Sequence, residues 1–194
     1  MLTRAEQKEQ RYRLILSEAL RLFVTRGYNE TKISDIASAA NMSMGLMFHY
    51  FSSKEQLYVE LVKESTEQTR VPREFEYSGP LDYFEKYLEM LFACSKSDPV
   101  MFDRFVLLSQ ARRNPDSPEE AKEIAMQTDT IEQSAKIIRL GQFSGLFRAG
   151  DAYALSVAFW RSVQGIMEGI AKDPQSPLPQ AEWLIDIIKN QAKD

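Results

Sequence analysis

Side chains that could do chemistry are concentrated in one short stretch of the chain. It contains Ser43, Gly45, the adjacent pair Phe48 and His49, and Lys54. Serine and histidine can hydrogen-bond phosphate oxygens or base edges, an aromatic ring can touch a thymine methyl group, and glycine lets a backbone approach closely. Lysine adds a positive charge that suits phosphate. These residue types at this spacing favour contact with duplex DNA.

Catalytic and metal chemistry find little support elsewhere in the chain. There is one histidine, His49, and one cysteine, Cys94, which excludes a zinc-thiolate cluster, a disulfide framework and a Ser-His-Asp triad away from His49. No carboxylate pair, glycine-rich phosphate loop or nucleophile with its base stands out. We therefore expect no metal and no cofactor, and a small helical enzyme or carrier is the disfavoured alternative. Cys94 is expected to be a small buried hydrophobe.

Charge is distributed unevenly along the 194 residues. The formal net charge is −4, yet residues 1–54 carry eight Lys and Arg against five acidic residues, a balance of +3, and the remainder carries −7. A basic end on an acidic body is typical of a protein in which one part meets phosphate. No apolar run is long enough to span a membrane, and the single cysteine suits a cytoplasmic protein.

The hydrophobic spacing predicts short helices that position this stretch. Apolar residues recur at three and four within 5–26, and Gly27 follows as a left-handed cap. Thr31 is expected to cap a short second helix, and Asn41 to form a left-handed turn. Ser43 then opens a short third helix, so that two helices joined by a tight turn carry the candidate residues.

The third helix should have two different faces. Met47 and Phe51, four residues apart, are predicted to pack inward. An exposed phenylalanine beside a histidine is unusual on a plain surface and fits a helix that enters a major groove. Ser52 and Glu55 have the spacing of a capping box that begins the next helix. The face toward solvent then consists of Ser43, Met44, Gly45, Phe48 and His49.

The rest of the chain also shows helical periodicity, and no alternating strand pattern appears. Residues 72–80, which contain Pro72, Gly79 and Pro80, form the linker. The fold class is therefore predicted to be all-α, with about nine helices: an N-terminal three-helix domain with a helix-turn-helix and a larger C-terminal helical domain. The C-terminal helices are predicted at 81–95, 99–112, 118–143, 151–171 and 179–192.

The stretch from Thr31 to Leu57 resembles the DNA-binding motif of the tetracycline-repressor (TetR) family. The similarity covers residues 8–57, and the C-terminal part is similar only in outline, with residues 145–151 opening the penultimate helix. The matching positions are Thr31, Ile36-Ala37, Asn41-Met42-Ser43, Gly45, Phe48-His49-Tyr50-Phe51 and Lys54.

The resemblance implies a role for each matching position. Lys32 and Ser34 correspond to the start of the first motif helix, which touches the DNA backbone and sometimes a base. Tyr50 corresponds to a phosphate contact and Lys54 to the phosphate clamp. Phe48 replaces the usual tyrosine, and Met44 stands where a polar or basic residue is common. The predicted DNA-binding residues are Lys32, Ser34, Ser43, Met44, Gly45, Phe48, His49, Tyr50 and Lys54.

The C-terminal part is rich in aromatic residues and methionine. The resemblance implies that some of these side chains line a pocket for an effector. Flexible apolar side chains without clustered polar groups favour a small lipophilic ligand. A single polar anchor is also expected, with Arg104, Gln110, Gln164 and Glu168 as the alternatives. The predicted pocket residues are Phe84, Tyr87, Leu88, Leu91, Met101, Phe105, Met126, Phe159, Val163 and Met167.

The last two helices are apolar on more than one face, and a monomer covers only one. An isologous four-helix dimer interface would cover the second. Two reading helices would then lie about 34–36 Å apart on a pseudo-palindromic operator. The predicted interface residues are Leu155, Phe159, Trp160, Ile166, Ile170, Trp183, Leu184, Ile187 and Ile188.

These expectations combine into a ligand-responsive repressor with a DNA-binding domain at 1–54, a connecting helix and linker at 55–78, and a ligand-binding and dimerisation domain at 79–194. A ligand that changes the placement of the two DNA-binding domains would lower the affinity for the operator. The alternatives are a regulator that activates or senses no small molecule, and a purely structural dimerisation protein.

Overall fold

The computed structural model of the chain describes residues 3–69, 75–126 and 130–190. Those residues contain helices and turns and no strand, so the predicted all-α class is confirmed. One isolated β-bridge joins Phe147 to Lys189. The ten helices are α1 (Arg4–Arg26), α2 (Ile33–Ala39), α3 (Met44–Tyr50), α4 (Lys54–Thr69), α5 (Pro80–Ser97), α6 (Val100–Arg113), α7 (Glu119–Met126), α8 (Thr130–Phe143), α9 (Ala152–Lys172) and α10 (Ala181–Ile185).

Two predicted helices differ from the observed ones. The segment 118–143 is two helices, α7 and α8, which accounts for the tenth helix. The expected helix over 179–192 is only the five-residue α10. It ends early because the backbone that follows pairs with another segment: Arg148 N donates to Ile188 O and Asn190 N donates to Leu146 O, each at 2.9 Å. Turn bonds carry the chain as far as Lys189, whose N donates to Ile185 O at 2.9 Å, and the pairing with 146–148 takes over from there.

The chain divides into two compact units. Unit 1 comprises Met1–Gln68 and Val106–Gln127, and unit 2 comprises Thr69–Phe105 and Thr128–Asp194. The predicted boundaries at residues 54 and 78 concern function and stay a prediction. The packing nevertheless groups 106–127 with the N-terminal helices, which the periodicity of the sequence did not indicate. Pro72, part of the predicted linker, lies outside the described residues.

Unit 1 has a core built from the inner faces of its helices. The apolar stripe of α1, including Ile15 and Phe23, is fully buried. The inner side of the helix-turn-helix and the first turns of α4 pack against it. The part of α6 and α7 in this unit adds small and branched side chains: Leu107, Leu108, Ala111, Ala121 and Ala125.

Unit 2 has a core of aromatic side chains in edge-to-face contact. The ring of Phe84 lies 5.7 Å from that of Phe147 and 4.9 Å from that of Phe159, with steep interplanar angles. Tyr87 and Trp160 form a similar pair at 4.8 Å. Such geometry is the preferred arrangement of aromatic quadrupoles and stabilises a core beyond the area it buries.

One glycine of unit 2 is required by close packing. A Cβ added to Gly141 in α8 would overlap the ring of Phe147, which is 2% exposed. We expect Gly141→Ala to lower the free energy of unfolding by about 1–3 kcal/mol, because the ring has no free space to move into. The measurement is urea unfolding of both proteins. In a Phe147→Ala background the same change should be nearly neutral, because alanine has none of the ring atoms that the new Cβ meets, and an equal loss there would contradict the clash.

Candidate nucleic-acid interface

The turn between α2 and α3 is set by one left-handed residue. Asn41 has a φ of 53°, as its residue type predicts. The turn is closed by Ala40 N, which donates to Ile36 O at 2.9 Å, and by Met42 N, which donates to Ala37 O at 2.8 Å. Both bonds are local, so the angle between the two helices follows from a short segment of sequence.

Thr31 does not cap α2, and that expectation is wrong. Lys32 is the N-cap, and Thr31 is fully buried. The hydroxyl of Thr31 donates to Gly27 O at 2.8 Å, where Gly27 has a φ of 85° and a ψ of 167°. Gly27 thus ends α1 with a positive φ, but outside the left-handed helical region that the sequence suggested. The threonine therefore ties the start of α2 to the end of α1.

Ser43 caps α3 as predicted. Its hydroxyl oxygen accepts a hydrogen bond from Leu46 N at 3.3 Å. This contact uses the oxygen as an acceptor and leaves the hydroxyl proton able to donate to a phosphate or a base. The same side chain can therefore start the helix and contact DNA.

The two faces of α3 are those that the sequence predicted. Met47 is 0% exposed and Phe51 is 3% exposed, whereas Phe48 is 49% exposed. The ring of Tyr12 in α1 stacks on Phe51 at 5.5 Å and fixes the end of α3. Met44, Gly45 and His49 join Phe48 and Ser43 on the exposed face.

The other predicted DNA-binding residues border this face. Lys32 and Ser34 are exposed at the start of α2. Tyr50 is half-buried, and its ring meets the edge of His49 at 5.9 Å. Contact of any of these side chains with DNA stays a prediction.

The cap of α4 lies one residue later than predicted. Gln56 N donates to Ser53 Oγ at 3.0 Å, and Ser52 N donates to Gln56 Oε1 at 2.7 Å. The Ser52–Glu55 capping box is therefore wrong. The two adjacent serines both fit the pattern, and the glutamine side chain selects Ser53 because it reaches back to the backbone of Ser52.

Lys54 is held by contacts that the sequence did not reveal. Its Nζ donates to Tyr28 O at 2.8 Å and lies 4.1 Å from the centroid of the Tyr28 ring. Burial lowers the pKa of Lys54, and the nearby Glu30 carboxylate opposes this shift. An ammonium group has three donors, so two N–H bonds remain for a phosphate. The cation is thus positioned in advance at the first residue of α4.

Residues from α6 and the turn after it attach to the helix-turn-helix unit through side-chain hydrogen bonds. Gln110 Nε2 donates to Val24 O at 3.0 Å, and Asn29 Nδ2 donates to Asp116 Oδ2 at 2.6 Å. Gln110 therefore belongs to unit 1 and is not an anchor inside unit 2. No local pattern could have indicated contacts between residues so far apart in sequence.

Nine of the ten predicted pocket residues come together in unit 2. They all belong to its hydrophobic cluster and are less than 10% exposed. Met126 is the exception: it is 63% exposed and lies in α7 of unit 1, so its assignment to the pocket is wrong. The amphipathic α7 presents Met126 on the side opposite its buried alanines. Cys94 is half-buried against the same cluster, less enclosed than predicted.

The remaining anchor candidates already have partners. Arg104 NH1 lies 2.9 Å from Asp98 Oδ2 and pairs with it. Gln164 Nε2 donates to Phe105 O at 2.9 Å and to Glu168 Oε1 at 2.7 Å. Gln164 and Glu168 are the pair that adjoins the buried cluster of unit 2.

The predicted dimer residues divide into buried and accessible groups. Phe159, Ile170, Leu184 and Ile188 are buried within unit 2, so their assignment to an exposed second face is wrong. They face inward because α10 and the backbone after it pack on α5 and α9. Trp183 is 61% exposed, and four residues are half-buried: Leu155, Trp160, Ile166 and Ile187.

Exposed apolar side chains that the sequence analysis missed lie around the turn between α8 and α9. Phe143 is 90% exposed and Leu140 is 60% exposed. Leu146 and Tyr153 are also exposed. These residues do not follow the spacing of the buried stripe of either helix. That difference in spacing could have identified them from the sequence as exposed apolar residues.

Neither a membrane-spanning helix nor a cluster of metal ligands occurs in the described part of the chain. No helix there combines the length and the hydropathy needed to cross a bilayer. Likewise, no three His, Cys, Asp or Glu side chains of residues 3–69, 75–126 and 130–190 cluster as metal ligands would.

Comparison with known proteins places the helix-turn-helix unit among bacterial regulators. The model described as "Bacterial regulatory proteins, tetR family" matches residues 15–61. A transcriptional repressor of Mycobacterium tuberculosis, Rv1474c, is 38% identical over 58 residues, which are 30% of this chain and 31% of that protein. The Fatty acid metabolism regulator protein of Bacillus subtilis is 32% identical over 63 residues, 32% of each chain. The matches thus span no more than a third of these curated relatives.

Solved structures share the fold over nearly the whole chain. The MbdR regulator from Azoarcus sp. CIB superposes with a TM-score of 0.78 at 19% identity, covering 91% of this chain and 96% of that one. A linker-substituted HlyIIR mutant superposes with a TM-score of 0.73 at 21% identity, covering 95% of this chain and 100% of that one. At these identities the likeness concerns the fold alone.

Proposed function

Through residues 15–61 the chain belongs to the tetR family of bacterial regulatory proteins, and on this premise we propose that it represses transcription as a homodimer on a pseudo-palindromic operator. The observation that carries the proposal is the exposed pair Phe48 and His49 on α3, opposite the buried Met47. An amphipathic helix with an aromatic outer face that no described element of its own unit covers suits a major groove.

The proposed contacts fall into two classes. Base-edge contacts are assigned to Ser43, Phe48 and His49, and Met44 and Gly45 share their exposed face. Phosphate contacts, which position a protein without reading sequence, are assigned to Lys32, Ser34, Tyr50 and Lys54.

Lys54 provides the test of the phosphate contacts. Lys54→Ala is expected to weaken binding to every duplex by a similar factor and to reduce the log-log salt slope by about 0.9 per lysine removed. The measurement is fluorescence anisotropy with a mixed-sequence duplex and with an operator selected from a random pool. Lys63→Ala removes the same charge from the exposed side of α4 and serves as the control.

The outcomes separate the roles of the residues. An unchanged salt slope for Lys54→Ala would contradict its phosphate role. His49→Ala should instead change which sequences are selected, and equal losses on operator and random DNA would contradict its placement near the bases. Failure of the unmodified protein to bind any duplex at low salt would refute the proposal and favour a purely structural role.

A small lipophilic effector is proposed to bind unit 2. Nine apolar and aromatic side chains meet there, with the Gln164 and Glu168 pair as the polar group beside them. The chain passes between the units at the end of α4 and within α6. An effector that favours one conformation of these helices would weaken operator binding, and the operator would weaken effector binding equally.

A panel of lipophilic ligands tested by thermal shift, with and without operator, examines this part of the proposal. Stabilisation that the operator reduces would support repression relieved by an effector. Stabilisation that the operator increases would favour the alternative, an activator, and no shift with any ligand would favour a regulator that senses no small molecule. The names of the two relatives describe a regulator and a transcriptional repressor, which favours regulation over the enzyme alternative. The cytoplasm is the compartment in which such a regulator would meet its operator.

The homodimer is proposed to form through α8 and α9. Phe143, Leu140 and Tyr153 are exposed apolar side chains beside the turn that joins these helices. An exposed stripe of small residues on α9 would let a second helix approach closely. The stripe consists of two pairs, Ala154 with Ala158 and Gly165 with Gly169, on either side of the exposed Arg161.

A further inference from the structure

The first two turns of α1 carry a basic face that has no ion-pair partner among the described residues. Arg4, Lys8 and Arg11 are exposed, and their spacing of four and three residues places them on one side of the helix. Over the part of the chain that the structure describes, no carboxylate lies within ion-pair distance of these three side chains.

The other cations of the same helix are neutralised. Arg13 pairs with Glu64 at 2.7 Å, Arg21 pairs with Glu18 at 2.7 Å, and Arg26 approaches Asp35 at 3.5 Å. The basic residues of α1 are therefore of two kinds. One group forms ion pairs with carboxylates of unit 1, and the other group, Arg4, Lys8 and Arg11, is called the free basic face.

The free basic face points toward the helix-turn-helix side of unit 1. The same helical spacing continues from Arg11 to Ile15 and then to Leu22, which are 0% and 2% exposed in the core that contains α2 and α3. The three basic residues therefore lie on the same side of α1 as Ile15 and Leu22, but nearer the N-terminus of the helix. There the helix extends past the core, and its residues change from apolar to cationic.

The position of the free basic face relative to α3 follows from one aromatic contact. The ring of Tyr12 stacks at 5.5 Å on Phe51, the residue that follows α3. Arg11 adjoins Tyr12, and Lys8 precedes it by about one turn, or roughly 6 Å of helix rise. Acidic side chains lie on the other flank, where Tyr12 Oη donates to Glu60 Oε1 at 3.2 Å and Arg13 meets Glu64.

We propose that Arg4, Lys8 and Arg11 bind the sugar-phosphate backbone that flanks the groove entered by α3. The partner is duplex DNA, contacted without regard to sequence, because three separated point charges on a helix suit phosphates and cannot read bases. The inference rests on the proposed DNA-binding function and widens its footprint beyond the helix-turn-helix.

The test compares two double variants of the full chain. Lys8→Gln with Arg11→Gln removes two free cations, and Arg13→Gln with Arg21→Gln removes two paired cations from the same helix. Binding to a mixed-sequence duplex of about 30 base pairs, long enough for two half-sites and their flanks, is measured against salt concentration. The first variant should reduce the log-log slope by about 0.9 per removed cation, and the control should leave it nearly unchanged.

The outcomes distinguish this inference from the function it rests on. Equal slopes for the two double variants, with tight binding by the unmodified protein, would overturn the free basic face and leave the proposed function standing. No duplex binding by the unmodified protein would overturn both. Loss of binding to vesicles containing anionic lipid, with no change on DNA, would assign the face to a membrane surface and overturn the inference. Thermal melts of both variants serve as the check that they are folded.

Discussion

Met47→Ala is expected to lower the free energy of unfolding by about 2–5 kcal/mol. Met47 is 0% exposed, and truncation removes its buried atoms and leaves a cavity. The helix that carries it, α3, has seven residues, too few to be stable without tertiary packing. We therefore also expect loss of duplex binding, because the exposed face of α3 would no longer be held in place.

Phe48→Ala is the matched control, since it truncates the next residue on the same helix. The ring of Phe48 is about half exposed, so stability should change by roughly 0.5 kcal/mol or less while operator affinity falls. Urea unfolding and anisotropy with duplex DNA separate the two effects. If Phe48→Ala destabilised the protein as much as Met47→Ala, the ring would be part of the core and the assignment of the outer face would be wrong.

The face assignment of α3 could be predicted because it depends on local information. The four-residue spacing of Met47 and Phe51 fixes the inner side of a helix, and the tolerance of asparagine for positive φ fixes the turn at Asn41. Together these two local constraints determine which face of α3 is buried. The sequence therefore predicts the exposed residues before any tertiary contact is known.

Contacts between residues distant in sequence could not be predicted in this way. The ammonium group of Lys54 meets Tyr28, which lies 26 residues earlier in the chain. Thr31 looked like a helix cap, but its hydroxyl lies against the end of α1, within reach of Gly27 O and of Leu22 O nine residues earlier. Serine and threonine side chains bind whichever backbone group comes within reach, so their role depends on the neighbours that packing supplies.

The same limit explains the errors in unit 2. The helical spacing places the apolar side chains of Leu184 and Ile188 on one face. It does not indicate which element of the protein packs against that face. The covering comes from nonlocal pairing of Arg148 with Ile188 and from packing of α10 on α5 and α9. Once those residues are buried, the unpartnered surface shifts to the turn between α8 and α9.

Phe143→Asp is expected to convert a dimer into monomers and to lower operator affinity by about 10²- to 10⁴-fold. A carboxylate at a position that is 90% exposed in the monomer is well solvated there, but it would be desolvated on both sides of a twofold interface. Operator affinity falls because each monomer then binds a single half-site without the gain from a linked second site. Sedimentation velocity and anisotropy measure the two effects.

The exposure of Phe143 also makes the result interpretable. A substitution in solvent should leave the fold of the monomer intact, so the far-UV circular dichroism of the variant should match that of the unmodified protein. Met126→Asp places the same charge on an exposed methionine of unit 1 and should leave a dimer. A Phe143→Asp variant that sediments as the unmodified protein does would show that this surface is not the interface, because a twofold contact cannot place two carboxylates in an apolar centre at no cost.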